Sequence, residues 1–216
     1  MNSTKILITN IVVILVIIIG GFTGYYFYNQ STMYLKTDNA QVTGKQLVIA
    51  APASGAIANW KGKVGTAFKA GDTVGDVEVV TGQGTQDVKI EMPADGTIVQ
   101  SSASDHEFVA PGTPLAYAYD MNDLWVTANI NETDLNEVKV GQTVDVYVDA
   151  FPNVTLSGTV SQIGLATAGS FSLLPQNNNN ANYTKVTQVV PVSIALSNSQ
   201  GVKLVPGMSV EVRIHK

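Results

Sequence analysis

The residues that could do chemistry are few and poorly grouped. The chain of 216 residues has two histidines, His106 and His215, and no cysteine. Without cysteine there is no disulfide, thiolate metal site, sulfur nucleophile or lipidated N-terminal cysteine. His106 lies in Ser104-Asp-His-Glu107, a polar run that reads as a solvated loop; a metal there needs ligands from elsewhere in the chain. His215 is the penultimate residue, and the expectation for it is a frayed end. A Ser-His-Asp hydrolase needs a strained nucleophile elbow, and no G-x-S-x-G occurs. Thr81-Gly-Gln-Gly84 is glycine-rich, but no G-K-[ST] follows to cradle a phosphate. Asp145 and Asp149 share one face of a strand pattern, where acids ordinarily serve solvation. General acid–base work needs a sheltered pocket that this pattern does not supply. The reading is a non-catalytic chain with no cofactor and no metal.

The elements that carry these residues are mostly strands. Charged residues make up 13% of the chain, about half the ordinary share of ~25%. Together with 19 glycines and short Val/Thr/Ile runs, this favours β structure with frequent turns. The formal charge is -5 and Arg213 is the sole arginine, so the clustered cations that nucleic acid requires are missing.

Ile6 to Tyr28 carries no charge. As a helix at ~1.5 Å per residue it spans roughly 34 Å, enough for a bilayer core. Tyr25, Tyr26 and Tyr28 fall where an interfacial aromatic belt belongs, and Lys5 precedes the span, which places the N-terminus in the cytoplasm and the bulk of the chain outside. A cleaved signal peptide is the alternative; against it, the apolar stretch is long and no A-x-A-like site follows. Gly20 and Gly24 form a G-x-x-x-G that suits close packing of membrane helices.

Beyond this segment lies an internal repeat. Pro52, Ala53, Gly55 and Ile57 recur 41 positions later as Pro93, Ala94, Gly96 and Ile98, and Gly71 and Val74 return as Gly112 and Leu115. Each half is too short to bury a face alone, so the two predict one β-sandwich over about 47–121. The repeat resembles the lipoyl/biotinyl domain. In that family a lysine at the hairpin between the halves carries a swinging cofactor. Here the corresponding Val80–Asp87 has no lysine at its tip, and Lys89 sits later, on the expected solvent face of a strand.

After Asp120-Met-Asn-Asp123 the texture changes. Leu124–Ile130 reads as a strand, followed by a short helix with Asn131 as N-cap, Glu132 and Asp134 in its first turn and Gly141 as its stop. Val144, Val146 and Val148 alternate with polar residues, as do Met208, Val210, Val212 and Ile214. Thr155–Ile163 is a further strand. Val186, Gln188, Val190, Val192, Ile194 and Leu196 share one face of a long one, with Pro191 pointing to an edge or bulge. Five or so strands and one short helix predict a small β-barrel.

Thr37-Asp-Asn-Ala-Gln-Val42, Leu124-Trp-Val-Thr-Ala128, Val140-Gly-Gln142, Phe171-Ser-Leu-Leu-Pro175, Asn182-Tyr-Thr-Lys-Val186 and Pro206-Gly-Met-Ser-Val210 occur in this order. The chain thereby resembles the HlyD/EmrA family of membrane fusion proteins, or periplasmic adaptor subunits, over nearly its whole length. The resemblance implies a mainly β chain: anchor at 1–30, connecting strand at 31–46, lipoyl-like barrel-sandwich hybrid at 47–121 and β-barrel at 122–216. It implies a homo-oligomer docked on an inner-membrane transporter, a major-facilitator multidrug exporter in the EmrA branch, with an ABC transporter as the alternative. A free-standing envelope binding or scaffold protein is the competing function. Typical members insert an α-helical coiled-coil hairpin between the lipoyl halves, reaching toward an outer-membrane channel. Only a few residues separate the halves here, so no outer-membrane channel is expected. Phe171, Leu173, Leu174, Pro175, Asn182 and Tyr183 flank an Asn-rich run, where the choice is between a mobile loop and a partner interface.

Overall fold

A computed structural model describes residues 3–82, 84–171, 187–197 and 201–216, the side chains at 3–9, 27–31 and 171 excepted. Helix α1 covers Ser3–Met33. Ile11 to Ile19 leave half or more of their surface exposed, and the Thr23 hydroxyl donates back to the Ile19 carbonyl at 2.7 Å. Among the described residues no helix is long and apolar enough to cross a membrane.

The strands are β1 (Tyr34–Ala50), β2 (Gly55–Ala58), β3 (Ala67–Phe68), β4 (Thr73–Thr81), β5 (Gly84–Glu91), β6 (Gly96–Ser101), β7 (Phe108–Val109), β8 (Pro114–Asn131), β9 (Thr143–Val148), β10 (Thr155–Ile163), β11 (Val189–Leu196) and β12 (Ser209–His215). They divide between two compact units, one of 41–127 with 199–208, the other of 1–40, 128–198 and 209–216.

The first unit is the sandwich, and the 41-residue repeat is its construction rule. Strands β2, β3 and β4 begin 41 residues before β6, β7 and β8. The halves exchange strands rather than folding separately. β3 of the first half pairs with β6 of the second (Ala67↔Thr97, Phe68↔Gly96), and β7 of the second pairs with β2 of the first (Ala56↔Phe108, Gly55↔Val109). Turn hydrogen bonds repeat the exchange. Gly71 N–H donates to the Met92 carbonyl and Gly112 N–H to the Ala51 carbonyl, both at 2.8 Å; Ile98 N–H reaches Thr66 as Ile57 N–H reaches Glu107. Each half thus closes the other around Ile49, Ile57, Val77, Ile90, Ile98 and Leu115, all nearly fully buried. Trp60 packs on this core and donates its indole N–H to Ser101 Oγ at 3.0 Å.

The second unit is the barrel. Strand order β1-β12-β9-β10-β11-β8, with β8 pairing back to β1, closes a ring of six. Closure leaves the ring itself without an open edge. The expected alternation holds: Val144, Val146, Val148, Val210, Val212 and Ile214 are at most 2% exposed. Each such side chain contributes about 1.5–3 kcal/mol on burial, so the alternating valines specify the register.

Four local expectations need correction. The short helix is a 3-10 turn over Glu132–Glu137 that ends at Val138, whose N–H meets the Leu135 carbonyl; Gly141, at φ +94°, instead shapes the turn into β9. Asn131 sits at the cap position but makes no side-chain cap bond; its amide NH2 instead donates to Asp134 Oδ2 at 3.4 Å. β11 begins at Val189, so exposed Gln188 precedes it, its carbonyl accepting the Glu132 N–H, while Val186 lies outside the described residues. β11 has neighbours on both sides, so Pro191 marks no edge; the irregularity falls on β10 between Val160 and Gln162, and Pro191 lies past the last β10 pair.

Candidate functional site

The sites that sequence chemistry singled out are scattered. His106 stands on an exposed turn at φ +69°, its N–H given to the Ile57 carbonyl at 2.7 Å. Its polar neighbours serve the turn. Asp105 Oδ1 accepts the Trp60 N–H at 2.8 Å, and Glu107 Oε2 accepts the Ser104 N–H at 3.2 Å. Among the described residues no group of three His, Asp or Glu side chains is placed to hold a metal, and no polar side chain is fully buried. Buried and mutually coupled ionisable groups are how a fold tunes acids and bases.

His215 is not frayed. It belongs to β12, and its Nε2 lies 2.9 Å from Asp145 Oδ2 on neighbouring β9. The Tyr34 ring meets the imidazole edge-on at 4.8 Å, a favoured aromatic geometry. Next to it, the Arg213 guanidinium lies 4.5 Å over the Tyr147 ring and 3.0 Å from Glu211. That hydrogen bond to Glu211 holds the Arg213 pKa above its ordinary value, against the opposing effect of burial. Lys216 closes the strand, its N–H on the Met33 carbonyl at 3.0 Å and its ammonium 2.6 Å from Glu137. Asp145 is thus held by the His215 ring, while its strand-face companion Asp149 gives its N–H to the Ser209 carbonyl. Period-2 counting places these residues on the outer face, but only the β9–β12 register brings Arg213 opposite Asp145. Tyr34 and the His215–Asp145 pair were not legible as a cluster, because the partners are separated by up to about 180 positions in sequence.

The β4–β5 hairpin is where a lipoyl-type domain would carry its lysine. Pairing continues to Thr81↔Gly84, so the two strands stay paired to within three positions of each other in sequence. Lys89 sits well back from that turn, exposed and opposite Asp76. Glu78 and Asp87 face each other across the same hairpin, two like charges side by side.

The described residues enclose cavities in each unit. One of about 270 Å³ in the sandwich unit is bounded by Val42, Gly44, Val99, Tyr119, Val205 and Pro206. Another, about 310 Å³ in the barrel unit, is polar, lined by Thr37, Asp38, Asn39, Asn129, Asn131 and Asp134. Its walls are already committed to one another. Thr37 Oγ1 donates to the Asn129 carbonyl at 3.2 Å, and Asn129 Nδ2 donates to Asn39 Oδ1 at 3.0 Å.

Of the candidate contact residues, Leu173, Leu174, Pro175, Asn182 and Tyr183 lie outside the described residues, as does the side chain of Phe171. Gly20 and Gly24 lie within α1, and a Cβ on either would meet nothing within 4 Å.

Known proteins supply the context. Residues 46–120 match the YhbJ barrel-sandwich hybrid domain, and residues 124–214 match the YknX-like beta-barrel domain. The chain is 44% identical over 214 residues to the putative efflux system component YhbJ of Bacillus subtilis, covering 99% of this chain and 94% of that protein. It is 39% identical over 108 residues to the probable multidrug resistance protein EmrK of Escherichia coli, covering half of this chain but only 28% of EmrK. The solved periplasmic adaptor protein EmrA superposes with a TM-score of 0.56 at 12% identity, over 85% of this chain and 99% of that one, a likeness of fold alone.

Proposed function

The chain belongs to the EmrA-like membrane fusion proteins, in the short form without the α-helical hairpin, and on that premise we propose that it is the non-catalytic adaptor of a multidrug or small-molecule export system. One observation carries the reading: an exchanged-half sandwich and a six-strand barrel occupy one chain that aligns nearly end to end with an efflux component. An adaptor acts by docking and shaping an exit path. The geometry suits that role, since its polar groups are spent on turns and strand contacts rather than gathered round a reactive centre.

The partner is an inner-membrane transporter, of major-facilitator type by preference, and copies of the chain associate with one another. Domain bounds of 47–121 and 122–216 serve these contacts. Residues Ile6–Tyr28 anchor the chain in the bilayer with the bulk outside the cytoplasm; the support is an uncharged run whose aliphatic side chains at 11–19 leave half or more of their surface exposed. Gly20 and Gly24 pack this helix on a partner helix. The Phe171–Tyr183 segment contacts the transporter or a neighbouring copy. With β4 and β5 paired up to Thr81↔Gly84 and no long insertion between the halves, the sandwich does not reach an outer-membrane channel.

Copurification of the full chain from detergent tests the central claim. A transporter is expected in the eluate, and deletion of the chain is expected to lower drug resistance in a way restored only when chain and transporter are both present. Resistance unchanged by deletion, with no transporter recovered, would remove the adaptor reading. Replacing both Phe171 and Leu174 by Ser is expected to release the transporter while leaving the folded chain intact; full retention would discard the contact segment.

A further inference from the structure

The four-stranded sheet of the sandwich, ordered β5-β4-β2-β7, ends in two unlike edges. β7 is two residues long, a length that blunts an edge. β5 is eight residues long, contains no proline, and has no strand on its outer side among the described residues. The bulge in this hairpin falls on β4, between Thr73 and Gly75, so β5 carries no extra residue and keeps its alternation.

The hydrogen-bonding phase of that edge can be read. Met92 gives its N–H to the Asp72 carbonyl at 2.9 Å and accepts the Gly71 N–H at 2.8 Å, so its backbone groups turn toward β4. Strand alternation then turns Ile90, Val88 and Gln86 the same way. Thr85, Asp87, Lys89 and Glu91 point their N–H and C=O groups outward, away from β4.

We propose that β5 pairs with β5 of a second copy of this chain, antiparallel about a twofold axis at Val88. This specifies the surface of the self-association proposed above. Three observations select the register. Only an alignment that places odd-numbered residues opposite one another lets the outward groups bond. Centring on Val88 uses nearly the whole strand, since 88 is its midpoint to within a residue. It also sets Asp87 opposite the second copy's Lys89, twice by symmetry, whereas centring on Asp87 or Lys89 sets like residues face to face. Within one chain Glu78 lies opposite Asp87, a like-charge pair that destabilises a sheet. The second copy's Lys89 would lie on the far side of Asp87 and offset that repulsion. On the other face Val88 meets its own image beside the core residue Ile90, which is 1% exposed.

The chain has no cysteine, so single cysteines report the pairing cleanly. Val88 and its image form a non-hydrogen-bonded pair, the closer type, with Cα atoms about 4.5 Å apart, within disulfide reach. In the full-length chain in detergent, V88C is expected to form a disulfide dimer under mild oxidation and K89C is not. K89D is expected to weaken self-association, read by sedimentation, by about tenfold. The D87K/K89D double variant, which restores complementarity, is expected to recover it. A V88C chain that stays monomeric, a K89C chain that crosslinks as well as V88C, or a double variant no better than K89D overturns the proposal. Self-association through another surface shows as unchanged sedimentation of K89D. Failure of the adaptor reading shows separately, as absence of a transporter from the eluate of the unaltered chain.

Discussion

The two halves of the sandwich carry the same turn at Gly65 and at His106, 41 residues apart, with φ of +86° and +69°. Both residues give their N–H to the exchanged half, Gly65 to Ile98 at 2.8 Å and His106 to Ile57 at 2.7 Å. The backbone has been copied and the side chain has not. The glycine adopts the left-handed region freely, whereas the histidine is held there at a cost of about 1 kcal/mol. What the repeat preserves, then, is the pattern of main-chain bonds by which each half closes its partner. Residue type is free to drift wherever those bonds survive.

The sharpest way to break the equivalence is at Gly55 and Gly96, which open β2 and β6. A Cβ on Gly55 would lie 2.1 Å from the Glu78 carbonyl oxygen, which is backbone and cannot rotate away. On Gly96 it would lie 3.1 Å from the Tyr119 carbonyl and 3.2 Å from the tips of Leu47 and Met92, which can yield. Gly55→Ala is therefore expected to cost about 3 kcal/mol and Gly96→Ala about 1 kcal/mol, within the range for overpacking. Urea midpoints of the two variants decide it; equal losses would mean that the close approach of β2 to β4 relaxes freely.

Gly71 and Gly112 offer the opposite comparison. Their φ angles, +82° and +81°, agree, and a Cβ on either meets nothing within 4 Å. Alanine at each should cost only the conformational penalty, about 1 kcal/mol, and the same at both sites. A difference beyond about 0.5 kcal/mol, larger than the usual error of additive sites, would show that the halves differ in rigidity despite matching bonds.

These pairs also show what the sequence makes legible. The spacing of Pro52, Gly55, Ile57 and Gly71 against Pro93, Gly96, Ile98 and Gly112 exposes the repeat, and the strand starts of the two halves keep the same 41-residue offset, because turn glycines and inward apolar residues are fixed by local sterics and burial. The exchange itself was not legible. A duplicated sequence is equally compatible with β3 pairing inside its own half or across to β6, and only the closing of the core decides. The alternating valines of β9 and β12 were read correctly for the same local reason. The 3-10 turn at Glu132–Glu137 was misread as an ordinary capped helix because cap residues report a helix start and not its pitch. His215 was misjudged because chain position says nothing about a partner as distant as Asp145. The β5 edge is legible only in part: alternation gives its outward charges, but that no strand among the described residues flanks them comes from the sheet order.

The smallest expected effect tests the opening comparison most directly. His106→Gly would make the halves alike at their turns. Leaving the left-handed strain behind gains about 1 kcal/mol, but a new glycine also widens the unfolded ensemble and returns part of that gain. The net expectation is a stabilisation of about 0.5 kcal/mol, read as a small rise in the urea midpoint with an unchanged slope. The reciprocal Gly65→His should lose about 1 kcal/mol. The imidazole of His106 is exposed and makes no side-chain bond to the core, so little else should change when it is removed. If His106→Gly instead destabilises the sandwich, the histidine is holding its turn through a contact of its own, and the two halves are not variants of one backbone design.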